Sequence, residues 1–191
     1  QSIGRMVLGE LSRTHGLTCG DAPALRQLAR RLGVERIAVT KAEGPVMAAL
    51  PGGIILAGND LIIKEDDPFV LSGYVLAERV GAERQPPLLD VLMSGCVRAR
   101  FVLLTRGELP LAAIQSYAGN IVRPAGIPQD TDAVLNAFGL AEVPVAPYAM
   151  RLMGPGEAFD ALLARDPGQG QVYPALLADR DWVSLQEQCG G

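Results

Sequence analysis

Histidine is nearly missing from this sequence: His15 is the one imidazole in 191 residues. That excludes any zinc centre built on paired histidines, and it makes a Ser/His/Asp triad or a Cys/His nucleophile depend on His15 alone, with no GxSxG elbow to present a serine. His15 itself is expected at the C-terminal end of a first helix, where a protonated ring meets the negative end of the helix dipole. The three cysteines have no CxxC spacing and are too few for a disulfide scaffold, so they build neither a structural zinc site nor a thioredoxin-like motif. No apolar run approaches the ~18 to 20 residues that span a bilayer. A net charge of −4 with interspersed signs, and only four Phe, four Tyr and one Trp, leave no basic stripe and few stacking platforms, which argues against nucleic acid as a partner. Gly52-Gly53, Gly154-Pro155-Gly156 and Gly168 to Gly170 lack the GxGxxG and GxxxxGK[ST] contexts and read as turns.

What is present is an ordinary globular composition, 49% hydrophobic, and a pattern that implies an α+β fold, mostly helical with a small β-sheet. One domain over 1–191 is expected, with 140–191 as a Pro/Gly-rich C-terminal extension. Ile3, Met6, Val7 and Leu11 recur at helical spacing after Ser2, up to Gly16; Asp21 and Pro23 open a second helix closed by Gly33. Residues 36–40, 46–50 and 54–57 read as three short strands, the last two flanking Pro51-Gly52-Gly53. An acidic turn ending in Asp67, followed by Pro68, starts a long apolar helix to about Glu83, expected to be the most buried and to pack on the strands. Pro86 and Pro87 break it. Further helices are expected at 88–93, 111–122, 131–138 (closed by Gly139), 157–164 and 182–188, whereas 97–105 suits a helix through Val97, Phe101 and Leu104 or a strand through Val97, Ala99, Phe101 and Leu103, the helix being preferred. Glu65, Asp66, Asp67, Asp130 and Asp132 precede helix starts and read as caps rather than as a calcium or acid/base cluster.

The sequence Met47-Ala48-Ala49-Leu50-Pro51-Gly52-Gly53-Ile54-Ile55-Leu56 leads into Val75-Leu76-Ala77-Glu78-Arg79-Val80-Gly81-Ala82-Glu83. Over residues 20–85 this order of elements resembles the gluzincin metallopeptidases of the HtpX and CAAX prenyl protease type, in which a segment like AxxLPGGxIxV precedes a helix bearing LAHExxH. The resemblance implies a gluzincin-like scaffold. It puts the first zinc histidine at Glu78, the general-base glutamate at Arg79 and the second histidine at Ala82, so all three are replaced. Alanine offers no lone pair, and a guanidinium neither binds zinc nor takes a proton. The family's third ligand, a glutamate in a later ExxxD-like helix, has no counterpart: Glu108, Glu142 and Glu157 sit in turn-like contexts. Glu78 and Arg79 either form a charged pair in the former cleft or, being about 100° apart on the helix, make separate ion contacts.

The expected function is therefore a catalytically inactive metallopeptidase-like domain, a binding or scaffolding module with a protein partner, no metal and no cofactor. An active peptidase with an unconventional metal set including Glu78, and an accessory subunit of a membrane protein complex, are the alternatives. The cysteines are either three reduced thiols or one disulfide and a free thiol. Thr18-Cys19-Gly20 is an inter-helix loop and Cys189 lies in a Gly-terminated tail, whereas Cys96 stands among apolar residues, so a Cys19–Cys189 disulfide with Cys96 as a buried thiol is expected. Such a bond persists in an oxidising space and implies a periplasmic or otherwise extracytoplasmic location. Since the chain starts at Gln1, a signal or membrane anchor is expected before it.

Overall fold

The computed structural model describes residues 2–94 and 110–190, and its architecture is mixed α+β. The elements in order are α1 (Ser2–Thr14), β1 (Leu17–Thr18), α2 (Pro23–Arg31), β2 (Arg36–Thr40), β3 (Met47–Leu50), β4 (Ile54–Gly58), α3 (Asp60–Ile63), α4 (Pro68–Arg84) and α5 (Pro87–Ser94). After residues 95–109 come α6 (Leu111–Ile121), α7 (Thr131–Ala141), α8 (Val145–Met153), α9 (Glu157–Leu163) and α10 (Asp179–Gly190). The helix expected at 97–105, and Cys96, lie outside the described residues.

The four strands form one sheet in the order β1-β2-β4-β3, with β2 and β4 parallel and both outer pairs antiparallel. Its two faces are both covered. Ile37, Val39, Met47, Ala49, Ile55 and Ala57 point into one core with α2, α4, α7, α8 and α10, whereas Ala38, Ala48, Leu50, Ile54 and Leu56 point into a second core with α1 and α6. Strands buried on two sides read as continuous apolar runs rather than as alternation, which is the pattern of residues 47–50 and 54–57. On the second face α1 comes unusually close: a Cβ on Gly4 would stand 1.9 Å from the Pro51 carbonyl oxygen, so glycine is what lets the helix rest on the β3–β4 turn.

Helix α4 is the central pillar. The Asp67 carboxylate accepts from Phe69 N–H at 2.8 Å and Pro68 fills the first turn, as the acidic turn and proline implied. Its buried residues run from Val70 through Leu76 and include Val80, so the helix is wrapped by β3 and β4 on one side and by α7 and α8 on the others. Asp130 caps α7 through Ala133 N–H at 2.9 Å. This helix continues past Gly139 to Ala141 and ends on Glu142 in the left-handed conformation, φ 54°.

Three elements go beyond the sequence expectation. β1 and α3 are only two and four residues long, below what periodicity resolves. Helix α8 was hidden by Pro144, Pro147 and Gly154, but Pro147 lies in its first turn, where no intrahelical N–H is required, and Val145, Tyr148 and Ala149 are buried. The C-terminal segment is thus tied into the first core through Tyr148, Trp182 and Leu185. It is also bonded covalently: Cys189 on α10 forms a disulfide with Cys19 beside β1, their Cα atoms 4.7 Å apart across 170 residues of sequence. No described helix is long and apolar enough to cross a membrane.

Candidate functional site

A cavity of 660 Å³ opens between the outer edge of β3, the C-terminal half of α4, α6 and the 123–130 segment. Its chemistry begins with strand alternation. Gly58 N–H donates to Val46 O at 2.8 Å, so Val46, Ala48 and Leu50 turn their backbone groups toward β4, while Met47 and Ala49 turn theirs outward. An outer strand leaves such groups open unless side chains or solvent fill them. At Ala49 two side chains do so: the Glu78 carboxylate accepts from its N–H at 2.8 Å, and the Tyr117 hydroxyl donates to its carbonyl at 3.4 Å. Met47 lines the same cavity with its outward edge.

Glu78 is half-buried, and desolvation raises its carboxyl above the ordinary range, with the Ala49 N–H and the charge of Arg123 pulling the other way. Tyr117 and Tyr148 flank it, both buried. Burial pushes both phenols well above their ordinary value, and the nearby Glu78 charge adds to the shift. The Tyr148 hydroxyl is buried without a hydrogen-bond partner among the described residues, while its ring packs edge-on against Tyr74 with centroids 5.0 Å apart. Toward the rim, Arg84 pairs with Asp130 at 2.7 Å.

The three residues singled out by the HExxH-like pattern part company here. Glu78 and Ala82, four apart on α4, both face the cavity. Arg79 turns away to α2: its Nη1 donates to Leu32 O at 2.8 Å and its Nε stands 3.8 Å from Glu83. A cation at the C-terminal end of α2 complements the dipole there. The arrangement gives Glu78 and Arg79 separate contacts, although Glu78 binds a backbone amide inside the cleft and not a surface ion.

Among the described residues no three His, Cys, Asp or Glu side chains stand close enough to share a metal ion. A carboxyl with a raised pKa is a property that general acids and bases share, but one oxygen of Glu78 is engaged by Ala49. What remains is a polar floor of carboxyl and phenol groups under an open volume. Tyr117, Arg123 and Tyr148 were not foreseen from sequence; aromatic residues on the apolar face of α6 and in the unexpected α8 carry no local sign that they meet at one site. The chain matches no known family model and no curated protein.

Proposed function

We propose that this chain is a non-catalytic binding module, built on a metallopeptidase-like scaffold whose zinc centre has been replaced. One observation carries the reading. At the position where the resemblance expects the first zinc histidine, Glu78 binds the Ala49 N–H and thereby fastens α4 to β3, leaving the 660 Å³ volume beside it for a ligand. Ala82, at the second histidine position, adds no donor. A concave volume of this size on which polar groups converge is the kind of place where ligands bind. The partner in this reading is a protein segment, and the disulfide favours an oxidising, extracytoplasmic setting such as the periplasm.

The test is zinc itself. A metal that binds only the folded state raises its stability by mass action. Metal analysis of protein purified without chelator, and melting with added zinc, are expected to show neither bound stoichiometric zinc nor stabilisation. Stoichiometric zinc lost in Glu78→Ala, with peptidase activity that follows it, would overturn the reading in favour of an unconventional active peptidase.

A further inference from the structure

A second pocket, of 230 Å³, lies away from the cleft, between the loop before α2 and the start of β2. Arg26 and Arg30 on α2 and Arg36 on β2 line it, together with Asp21 and Glu35. Three guanidiniums thus face two carboxylates in a protein whose net charge is −4. The local excess runs against the whole.

The contacts inside the pocket leave many of the guanidinium N–H groups unanswered. Asp21 Oδ1 pairs with Arg36 Nη2 at 2.8 Å. Arg26 uses one nitrogen on the Asp21 backbone carbonyl, and Arg30 Nε donates to the Arg26 carbonyl at 3.3 Å. Each guanidinium carries five N–H donors, so several remain on every one of them. Arg36 Nε is moreover buried without a hydrogen-bond partner among the described residues. Glu35 lines the pocket too, yet no ion pair among the described residues includes it. The loop that supplies Asp21 is held in place next door by the Cys19–Cys189 disulfide, so that wall is preorganised.

The geometry points to a binding site for a phosphate-type oxyanion in this pocket, held by Arg26, Arg30 and Arg36. A phosphate group carries about −1.5 to −2 charge and three acceptor oxygens at neutral pH, which suits several planar forks at once, whereas a lone carboxylate merely repeats what Asp21 already supplies. The 230 Å³ volume holds a phosphate group and leaves room beside it for part of what it is attached to. A soluble phosphate monoester and the monoester headgroup of phosphatidic acid share that chemistry.

The experiment is calorimetric titration of the full chain with inorganic phosphate, chloride being varied to hold ionic strength constant. Saturable binding with Kd on the order of 1 mM is expected, weakened at least about tenfold in the double variant Arg26→Gln/Arg30→Gln, whose two sites are exposed helix positions. Glu35→Gln removes the opposing carboxylate and is expected to tighten binding by about threefold. This opposite change keeps the test decisive if the double variant folds poorly. Co-sedimentation with phosphatidic acid vesicles, but not with phosphatidylcholine vesicles, and its loss in the double variant, would assign the source to a lipid headgroup; phosphate binding without vesicle binding would assign it to a soluble ester. The site is refuted if neither phosphate at about 20 mM nor phosphatidic acid binds, or if binding is indifferent to both sets of substitutions.

Discussion

The Glu78 carboxylate and the Ala49 backbone N–H meet at 2.8 Å across the wall of the cleft, joining the central helix to the outer edge of the sheet. Removing the acceptor leaves a strand amide facing a partly dry cavity. Glu78→Ala is expected to cost about 1–2 kcal/mol, whereas Glu78→Gln keeps an acceptor oxygen and costs less.

Parent and Glu78→Gln also differ in how they respond to pH. Burial raises the Glu78 pKa above its ordinary 4.5, so between that value and the raised one the native state holds a proton that the unfolded chain has released. Stability of the parent therefore falls as pH rises through this window. Glu78→Gln lacks the ionisation and should gain relative to the parent as pH rises above 4.5. Urea midpoints for both proteins from about pH 4.5 to pH 8 check it; a constant difference would refute the burial effect.

Asp60 is expected to behave in the opposite sense. It accepts from Lys64 Nζ at 2.7 Å and from Gly44 N–H at 2.8 Å, and these bonds, the lysine first, lower its pKa below the ordinary 3.8 despite the opposing cost of burial. The stability it contributes is present above the unfolded value and is lost as pH falls below 3.8 through the lower folded one. Lys64 is largely exposed and its share is screened, so Asp60→Asn should cost about 1 kcal/mol near neutral pH. The difference between variant and parent should shrink in acid, as read from chemical denaturation.

In α4, small size is as necessary as apolarity. A Cβ on Gly73 would stand 2.4 Å from Tyr148 Cβ and 3.0 Å from Phe138 Cζ. Alanine improves helix propensity by about 1 kcal/mol, but here the clash outweighs it, and Gly73→Ala is expected to lower the melting temperature by an amount equivalent to about 1–3 kcal/mol. Val75→Asp, placing a charge at a fully buried position, should cost about 3–5 kcal/mol. An unchanged melting temperature in Val75→Asp would remove α4 from the core.

The disulfide has its own measurable consequence. Closing a loop with a sequence separation of 170 gives on the order of 5 kcal/mol in the chain-entropy model, so Cys19→Ser/Cys189→Ser should melt markedly lower than the parent. Alkylation of the denatured, unreduced chain followed by mass mapping should label Cys96 and neither partner of the bond. Three labelled thiols would contradict it.

Much of this architecture was legible where one residue's chemistry acts on its near neighbours. Asp67 before Pro68 marked the start of α4, and Pro86-Pro87 its end, because capping and proline sterics act within a turn. Helix α8 shows the limit. Pro144, Pro147 and Gly154 read as loop composition, and only the burial of Val145, Tyr148 and Ala149 against α4 makes the segment a helix. At the candidate site, helical spacing put Glu78 and Ala82 on one face and Arg79 on another, but left open what each would touch.

The sequence by itself determined α1, α2, α4 and the three longer strands with their apolarity, since periodicity, capping and turn chemistry are local. Its single histidine likewise excluded a paired-histidine zinc centre without reference to any fold. Tertiary structure alone decided the partners: Ala49 for Glu78 and Leu32 for Arg79, and Tyr148 laid over Gly73. Each of these pairs is separated by 29 residues or more. Contacts at that range are set by how sheet and helices pack, and no spacing along the chain encodes them.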